Sequence, residues 1–227
     1  MSSSFHRQTR RVLLAVVALA ALLGAAAVQA RVGVTSQTTN NPLGTPPAQQ
    51  QRVLKVGIDV FANERIQTTA NDRAHLLFLD GSSLTVGPNS DLVIDKFVYD
   101  ANAGTGELAV SATKGIFRLV GGKITKSNEA TIKVGTSTIG IRGGITIVNA
   151  PDCPPGATSG DCQAQAYFMF GQQLTVTTPG GSETASRPGS VIDFSSAAPP
   201  SPPRIAPPNS LVGPIAQLEA PSGAGNT

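Results

Sequence analysis

Hydrophobic and polar positions alternate over short segments of the chain. In Leu54–Val60 every second residue is Leu, Val or Ile, and the residues between them are Lys, Gly and Asp. This period of two is typical of a half-buried β-strand. Similar segments recur up to Phe194, and no stretch of 12 or more residues between 52 and 195 has the apolar period of a helix. The pattern predicts an all-β fold.

Turn-forming residues separate the predicted strands. Asp80-Gly81 tolerates positive φ and predicts a tight hairpin between Ala74–Leu79 and Ser82–Val86. Further strands are predicted at Leu92–Asp95, Phe97–Tyr99, Glu107–Ala112, Gly115–Val120, Ala130–Val134, Ser137–Ile141, Ile145–Val148, Gln165–Phe170, Gln172–Thr177 and Val191–Phe194. We therefore predict a single all-β domain over residues 52–195, built as a rolled or solenoid-like stack of short antiparallel strands.

The composition changes at both ends of this domain. Residues 31–51 are rich in Thr, Asn, Gln and Pro, which predicts a flexible linker. Residues 196–227 contain eight prolines, which cannot donate to a ladder, so we predict a Pro-rich, extended and disordered tail. A ligand for a proline-recognition domain is the alternative to a solvated spacer. Within this tail, Leu211–Leu218 has enough apolar residues for weak docking.

The first 30 residues have the parts of a secretory signal. A basic segment, Met1–Arg11, precedes the apolar run 12–28, and Val28-Gln29-Ala30 places small residues where signal peptidase requires them. We predict a signal peptide over residues 1–30, cleavage after Ala30 and a periplasmic or otherwise exported protein. The alternative is an inner-membrane anchor formed by residues 12–28. The paired arginines also resemble a twin-arginine signal, which leads to the same compartment.

The net charge of the chain is concentrated in this leader. The sequence has 17 Lys+Arg against 14 Asp+Glu, a net charge of +3. Three of the basic residues are Arg7, Arg10 and Arg11, so the remainder of the chain has 14 of each sign. Nucleic-acid-binding domains carry a basic excess on the folded part, and we therefore expect no nucleic-acid partner.

The two cysteines are nine positions apart. In an exported protein the simplest interpretation is a disulfide between Cys153 and Cys162, in a loop that projects from a hairpin of Ile145–Val148 and Gln165–Phe170. A zinc site would need two further ligands, and the neighbourhood offers only aspartates. Free thiols are the third alternative. We predict neither a metal site nor a cofactor.

Catalytic chemistry has little support in the sequence. The chain has two histidines, and only His75 lies outside the leader, on a strand face that also carries Leu77 and Leu79. A Ser-His-Asp site would need this residue, and a packed or surface histidine is the other interpretation. Asp91 and Asp95 lie on one face, which suits either a weak cation or sugar contact or a solvated surface. We predict that the protein is not an enzyme.

Five ordered segments between residues 57 and 148 resemble the FecR domain family. They are Glu64–Thr68, Ala74–Val86, Pro88–Leu92, Gly115–Arg118 and Thr138–Gly144, the last with Gly144 where the family commonly has Thr. In these segments Asp80-Gly81 is a hairpin turn, and Gly140 and Gly143 allow the backbone to bend or to approach a neighbour closely. We expect Arg142 to point inward and to brace the structure, or alternatively to bind an anionic partner group.

The resemblance also implies a function. FecR proteins of the iron-transport regulator type are inner-membrane regulators, with a cytoplasmic segment that meets a sigma factor and a periplasmic region that meets a TonB-dependent receptor. Here 11 residues precede the apolar run, so no sigma factor is expected as a partner. We predict a non-enzymatic periplasmic FecR-like domain protein that binds or scaffolds an envelope protein partner. The alternative is a glycan-binding or glycan-active envelope β-protein.

Overall fold

The computed structural model describes residues 29–152, 162–196 and 198–219. Fifteen strands and two short helices lie in these ranges. In chain order they are β1 Arg31–Thr39, β2 Leu43–Thr45, β3 Arg52–Val53, β4 Asp59–Phe61, β5 Arg65–Gln67, β6 Arg73–Phe78, β7 Ser83–Val86, β8 Asp91–Asp100, β9 Thr105–Val120, α1 Ile124–Ser127, β10 Ala130–Val134, β11 Ser137–Ala150, β12 Ala164–Thr178, β13 Gly181–Ala185, β14 Ser190–Phe194, β15 Arg204–Ile205 and α2 Val212–Leu218.

All these strands belong to one mixed sheet, which confirms the all-β prediction. The longest path of neighbouring strands is β15-β14-β12-β11-β10-β9-β7-β6-β1-β4. A branch through β8, β5, β2 and β3 leaves this path at β9, and β13 pairs with β12. The pairing between β9 and β10 is parallel. The connection that contains α1 returns the chain to the first half of β9, where Thr131 lies opposite Ala109.

Three long strands pass through a sharp bend, where the chain changes its partners. β9 pairs with β8 before Gly115 and with β7 after it. β11 pairs with β10 up to Ile141 and with β9 from Ile145. At the bends the backbone has φ of +122° at Gly115, +102° at Gly144 and +139° at Gly171, values that favour glycine. The sequence pattern predicts two short strands in each case, because these glycines resemble strand ends.

The bends fold the sheet into two halves that enclose one core. β8, β10 and β13 lie in one half, and β6, β7 and β14 lie in the other. The ring of Phe78 from β6 stacks on that of Phe97 from β8, with 5.4 Å between centroids, so the inner faces of the halves are in contact. Leu84, Ile132 and Val176 are buried in the same cluster. A rolled single domain is therefore what the structure shows.

The segment before residue 52 corrects the prediction of a flexible linker. β1 pairs with β6 from Gly33 to Thr39 and with β4 on its other side, and β2 pairs with β3 and β5. Val32 and Thr35 are buried. The polar composition of residues 31–51 concealed an alternating strand, because threonine and serine occupy outward positions of a sheet as readily as they occupy loops.

The C-terminal segment corrects the prediction of a disordered tail over 196–227. The amide of Ser201 donates to the carbonyl oxygen of Asp193 at 2.8 Å, and the Arg204 guanidinium pairs with the Asp193 carboxylate at 2.5 Å. After β15, helix α2 buries Leu218 against Ile116 and Tyr167 on the outer face of the sheet. Non-proline residues such as Ser201 and Arg204 donate the hydrogen bonds that hold this segment to β14. Residues 197 and 220–227 lie outside the described ranges.

The predicted hairpin around the cysteines is present. β11 and β12 pair antiparallel, with Asn149 opposite Gln165. Cys153 lies outside the described residues, so the Cys153–Cys162 disulfide stays a prediction. Residues 1–28 of the leader also lie outside them, and cleavage after Ala30 stays a prediction. In the part of the chain that the structure describes, neither helix has the length and apolar content needed to cross a membrane.

Candidate functional site, a cationic pocket beside helix α2

Asp80 is buried in a structural joint, and the exposed Gly81 follows it in the turn. The Asp80 carboxylate accepts hydrogen bonds from the amide of Ser82 at 2.9 Å, from the Ser82 hydroxyl at 2.6 Å and from the amide of Ile124 at 3.2 Å. The Asp80 carbonyl oxygen accepts from the amide of Lys123 at 3.0 Å. Gly81 makes the turn with φ of +82°. The joint therefore connects the β6–β7 hairpin to the start of α1.

Arg142 lies on the opposite half of the sheet, and its side chain is exposed. The expectation that it points inward is wrong, since alternation along β11 places Ile141 in the core and Arg142 on the outer face. The guanidinium donates to the carbonyl oxygen of Ser127 at 2.9 Å. Ser127 is the last residue of α1, so the contact supplies a donor to an otherwise unpaired helix carbonyl.

The glycines of the same segment have different environments. A Cβ on Gly140 would lie 2.7 Å from Oε2 of the Glu129 side chain, and one on Gly144 would lie 1.8 Å from the carbonyl oxygen of Phe170. Gly143 has φ of +59°. The positive φ of Gly143 and the close backbone beside Gly144 accompany the bend of β11 against β12.

A row of polar side chains crosses four strands on the outer face of the other half. The strand registers place Gln37 on β1 opposite His75 on β6, His75 opposite Thr85 on β7, and Thr85 opposite Arg118 on β9. Neighbouring strands are about 4.8 Å apart, so these four residues are consecutive neighbours. Arg73 lies two residues before His75 and therefore on the same face.

Helix α2 turns this row into a pocket. The next residues along the row, Ile147 and Tyr167, are covered by the helix, and the helix ends beside Arg118. The Arg73 Nε donates to the carbonyl oxygen of Gln217 at 2.5 Å, which holds the helix end against β6. The cavity between them has a volume of about 220 Å³ and is lined by Gln37, Thr38, Thr39, Arg73, Ala74, His75, Thr85, Arg118, Leu218 and Glu219.

The pocket has an excess of cationic groups. Arg73 and Arg118 form no ion pair within the described residues, although Arg31, Arg52, Arg65 and Arg204 each pair with a carboxylate there. The pKa of His75 is lowered from its usual value by desolvation, and then by the positive charge of Arg118. Glu219 is the acidic residue in the lining. The hydroxyl of Thr85, a residue 5% exposed, has no hydrogen-bond partner in the part of the chain that the structure describes.

His75 lies close to the hydroxyl of Ser36. Ser36 Oγ is 2.5 Å from His75 Nδ1 and 3.1 Å from the His75 carbonyl oxygen. The hydroxyl can donate its single proton to either atom, and the tautomer of the ring decides which. In the described ranges no carboxylate hydrogen-bonds the ring, as a catalytic triad would require.

The two aspartates considered for a cation or sugar contact have separate partners. Asp91 forms a bidentate ion pair with Arg65, which is the first cause of the lowered pKa of the Asp91 carboxyl. Asp95 accepts a hydrogen bond from the hydroxyl of Ser111. Within the described residues no three His, Cys, Asp or Glu side chains cluster in a way that could hold a metal ion.

Sequence reasoning missed the pocket residues Arg73, Thr85 and Arg118. Alternation along β6 was a usable signal, because it places Arg73 and His75 on one face. Alternation does not predict that Thr85 and Arg118 are neighbours of His75, since the pairing of β7 with β9 joins residues more than 30 positions apart. The helix wall of the pocket came from a segment predicted to be disordered.

One part of the chain matches a known protein family. Residues 64–154 match the FecR protein family. Two crystal structures of proposed anti-sigma factors from Parabacteroides distasonis ATCC 8503, at 2.50 and 1.65 Å, have TM-scores of 0.48 and 0.47 at 10% and 8% identity. Both likenesses cover 66% of this chain, which spans 63% and 64% of those proteins. No curated protein matches the chain.

Proposed function

Residues 64–154 of this chain form a FecR domain, and from this premise we propose that the chain is a non-enzymatic periplasmic protein that binds or scaffolds an envelope protein partner. The leader over residues 1–30 supports the compartment. Regulation through a bound protein is compatible with this proposal and needs no catalytic group.

The observation that carries the proposal is the outer face around the cationic pocket. Leu77 and Leu79 on and just after β6 are 41% and 49% exposed, and they lie on the same face as His75. An exposed apolar pair beside an uncompensated cationic cleft is the composition of a protein-binding surface, in which apolar contact supplies affinity and charge supplies specificity. On the outer face near Arg142, Thr175 hydrogen-bonds to Thr184 and Thr177 hydrogen-bonds to Ser182.

An affinity pull-down from the envelope fraction tests the proposal with matched surface variants. The bait is the full chain, its double variant Leu77→Ser/Leu79→Ser, and the control Val98→Ser, whose exposed fraction of 54% is similar but which lies on the other half. We expect the same protein to be recovered with the wild type and the control, and lost with the double variant. Recovery of the bait only as a free monomer under several conditions would contradict partner binding.

A co-sedimentation and turnover assay with peptidoglycan and polysaccharide separates the glycan alternative. Glycan turnover, or glycan binding that the Leu77→Ser/Leu79→Ser variant retains, would contradict the proposal. Mass spectrometry of the exported protein tests the compartment, and we expect Arg31 as the mature N-terminus. A membrane-retained N-terminus would instead indicate the anchored arrangement of the sigma-factor regulators.

A further inference from the structure

The cationic pocket has a charge that its own residues do not balance. At pH 7 it holds the guanidinium groups of Arg73 and Arg118 and the carboxylate of Glu219, a net charge of about +1. His75 adds no full charge at this pH, because its pKa is lowered from an already near-neutral value. A single carboxylate would neutralise this pocket, whereas a phosphate group with about −1.5 to −2 charges would exceed it.

Two hydrogen-bonding side chains of the pocket, Arg118 and Thr85, also lack an acceptor among the described residues. Arg118 presents a planar fork of donors that matches a carboxylate, and it has no ion pair within the described residues. The hydroxyl of Thr85, its neighbour across β7 and β9, is buried without a hydrogen-bond partner in the described ranges. Thr85 lines the pocket, and a buried hydroxyl is normally hydrogen-bonded in a native protein, so it has an unused donor beside Arg118.

The size of the pocket limits the ligand. A volume of about 220 Å³ corresponds to roughly seven water molecules, enough for the carboxylate end of an Asp or Glu side chain or of a peptide C-terminus. The exposed Leu77 and Leu79 begin two positions beyond His75 on the same face. A ligand that fills the pocket and continues over this surface would therefore carry apolar groups next to its carboxylate.

We propose that the pocket is a carboxylate-binding site, in which Arg118 and Thr85 hold an acidic residue of a peptide segment whose neighbouring apolar side chains contact Leu77 and Leu79. This inference rests on the proposed function, because it takes the peptide to belong to the envelope partner. Arg118 is the residue that anchors the carboxylate, and the negative charge of the ligand determines which peptides bind.

Titration of the full chain with two short peptides tests this site by NMR. The probes are acetyl-Leu-Ala-Glu-Leu-amide and the same peptide with Gln in place of Glu. We expect saturable shifts with the Glu peptide and at least tenfold weaker binding of the Gln peptide. Competition with acetate should displace the Glu peptide at lower concentration than competition with inorganic phosphate. Equal binding of both peptides, or stronger competition by phosphate, would overturn the proposal.

Three variants connect the binding to the named groups. Arg118→Gln should weaken binding of the Glu peptide at least tenfold, while Arg142→Gln, which removes the same charge from the other half, should leave it unchanged. Thr85→Val should weaken binding without lowering the Tm, because it replaces an unpaired buried hydroxyl by a methyl group of the same shape. Unchanged binding in folded Arg118→Gln or Thr85→Val, judged by far-UV circular dichroism, would refute the site.

The failure of this inference can be told apart from the failure of the proposed function. If the pull-down recovers a partner with wild type and Arg118→Gln alike, the partner-binding function stands and the carboxylate site is wrong. If the Glu peptide binds through Arg118 but no partner is recovered, the site stands and the function is wrong.

Discussion

Replacement of Asp80 by Asn tests whether the most recognisable motif of the domain is a structural joint. Both carboxylate oxygens of this buried residue are used. Oδ1 accepts from the amide of Ser82, and Oδ2 accepts from the Ser82 hydroxyl and from the amide of Ile124. An amide group keeps one acceptor and turns two donor hydrogens toward the remaining groups, so the amide of Ile124 loses its acceptor in the interior.

The magnitude follows from the groups that are left unpaired. An unsatisfied buried amide destabilises by about 1–3 kcal/mol, and hydrogen bonds to a charged acceptor contribute about 1.5–3 kcal/mol. Because the Ser82 hydroxyl can reverse its role and accept from the new amide, we expect a total loss of about 2–4 kcal/mol in the free energy of unfolding. This is a large part of the stability of a typical domain.

Asp100→Asn is the matched control. This exposed aspartate also caps a turn, but both its hydrogen bonds, from the amides of Asn102 and Ala103, end on the same oxygen. An asparagine can keep both, so we expect a change within about 0.5 kcal/mol.

Urea unfolding followed by far-UV circular dichroism measures both variants, since the chain has no tryptophan to report by fluorescence. A free energy of unfolding for Asp80→Asn within about 1 kcal/mol of that for Asp100→Asn would refute the reasoning. It would show that the carboxylate does not hold the hairpin to α1, and a ligand role for Asp80 would then regain support.

Three further predictions concern the bends, the pocket and the cysteines. Gly144→Ala should lower the Tm more than Gly57→Ala, because φ is positive at both positions but only Gly144 has backbone where the new Cβ would lie; equal losses in thermal scans would contradict this. The free energy of unfolding should fall as the pH drops below about 6.5, because the lowered pKa of His75 lets the unfolded chain take up the proton first. Urea titrations at several pH values should show a smaller dependence in His75→Gln, and an unchanged dependence would assign the effect to other groups. Reduction of the predicted disulfide at Cys162 should lower the free energy of unfolding by at most about 3 kcal/mol and leave the β-sheet circular dichroism unchanged. Global unfolding on reduction would contradict a disulfide that stabilises only a local loop.

The strand content could be predicted from the sequence because alternation is a local property. The continuation of the long strands through their internal glycines could not be predicted. Gly115 and Gly171 carry the usual sign of a strand end, yet both sit inside a strand where φ is positive and the pairing continues on the next strand. A glycine that ends a strand and one that bends it are the same letter in a sequence. What separates them is whether another strand lies alongside both arms, and that depends on pairings distant along the chain.

The pocket shows the same limit in a stronger form. The residues of the family resemblance that stand out in the sequence include Asp80, which holds a hairpin, and Gly143, which has a positive φ at the bend of β11. The side chains of Thr85 and Arg118, which have no partner among the described residues, are less conspicuous: Thr85 lies inside a segment of the resemblance, and Arg118 ends one. Their common environment exists only because Leu218, about 100 residues after Arg118, brings the end of α2 onto the sheet. Because α2 lies outside residues 64–154, the part of the chain that matches the FecR family, the resemblance gives no indication of the pocket.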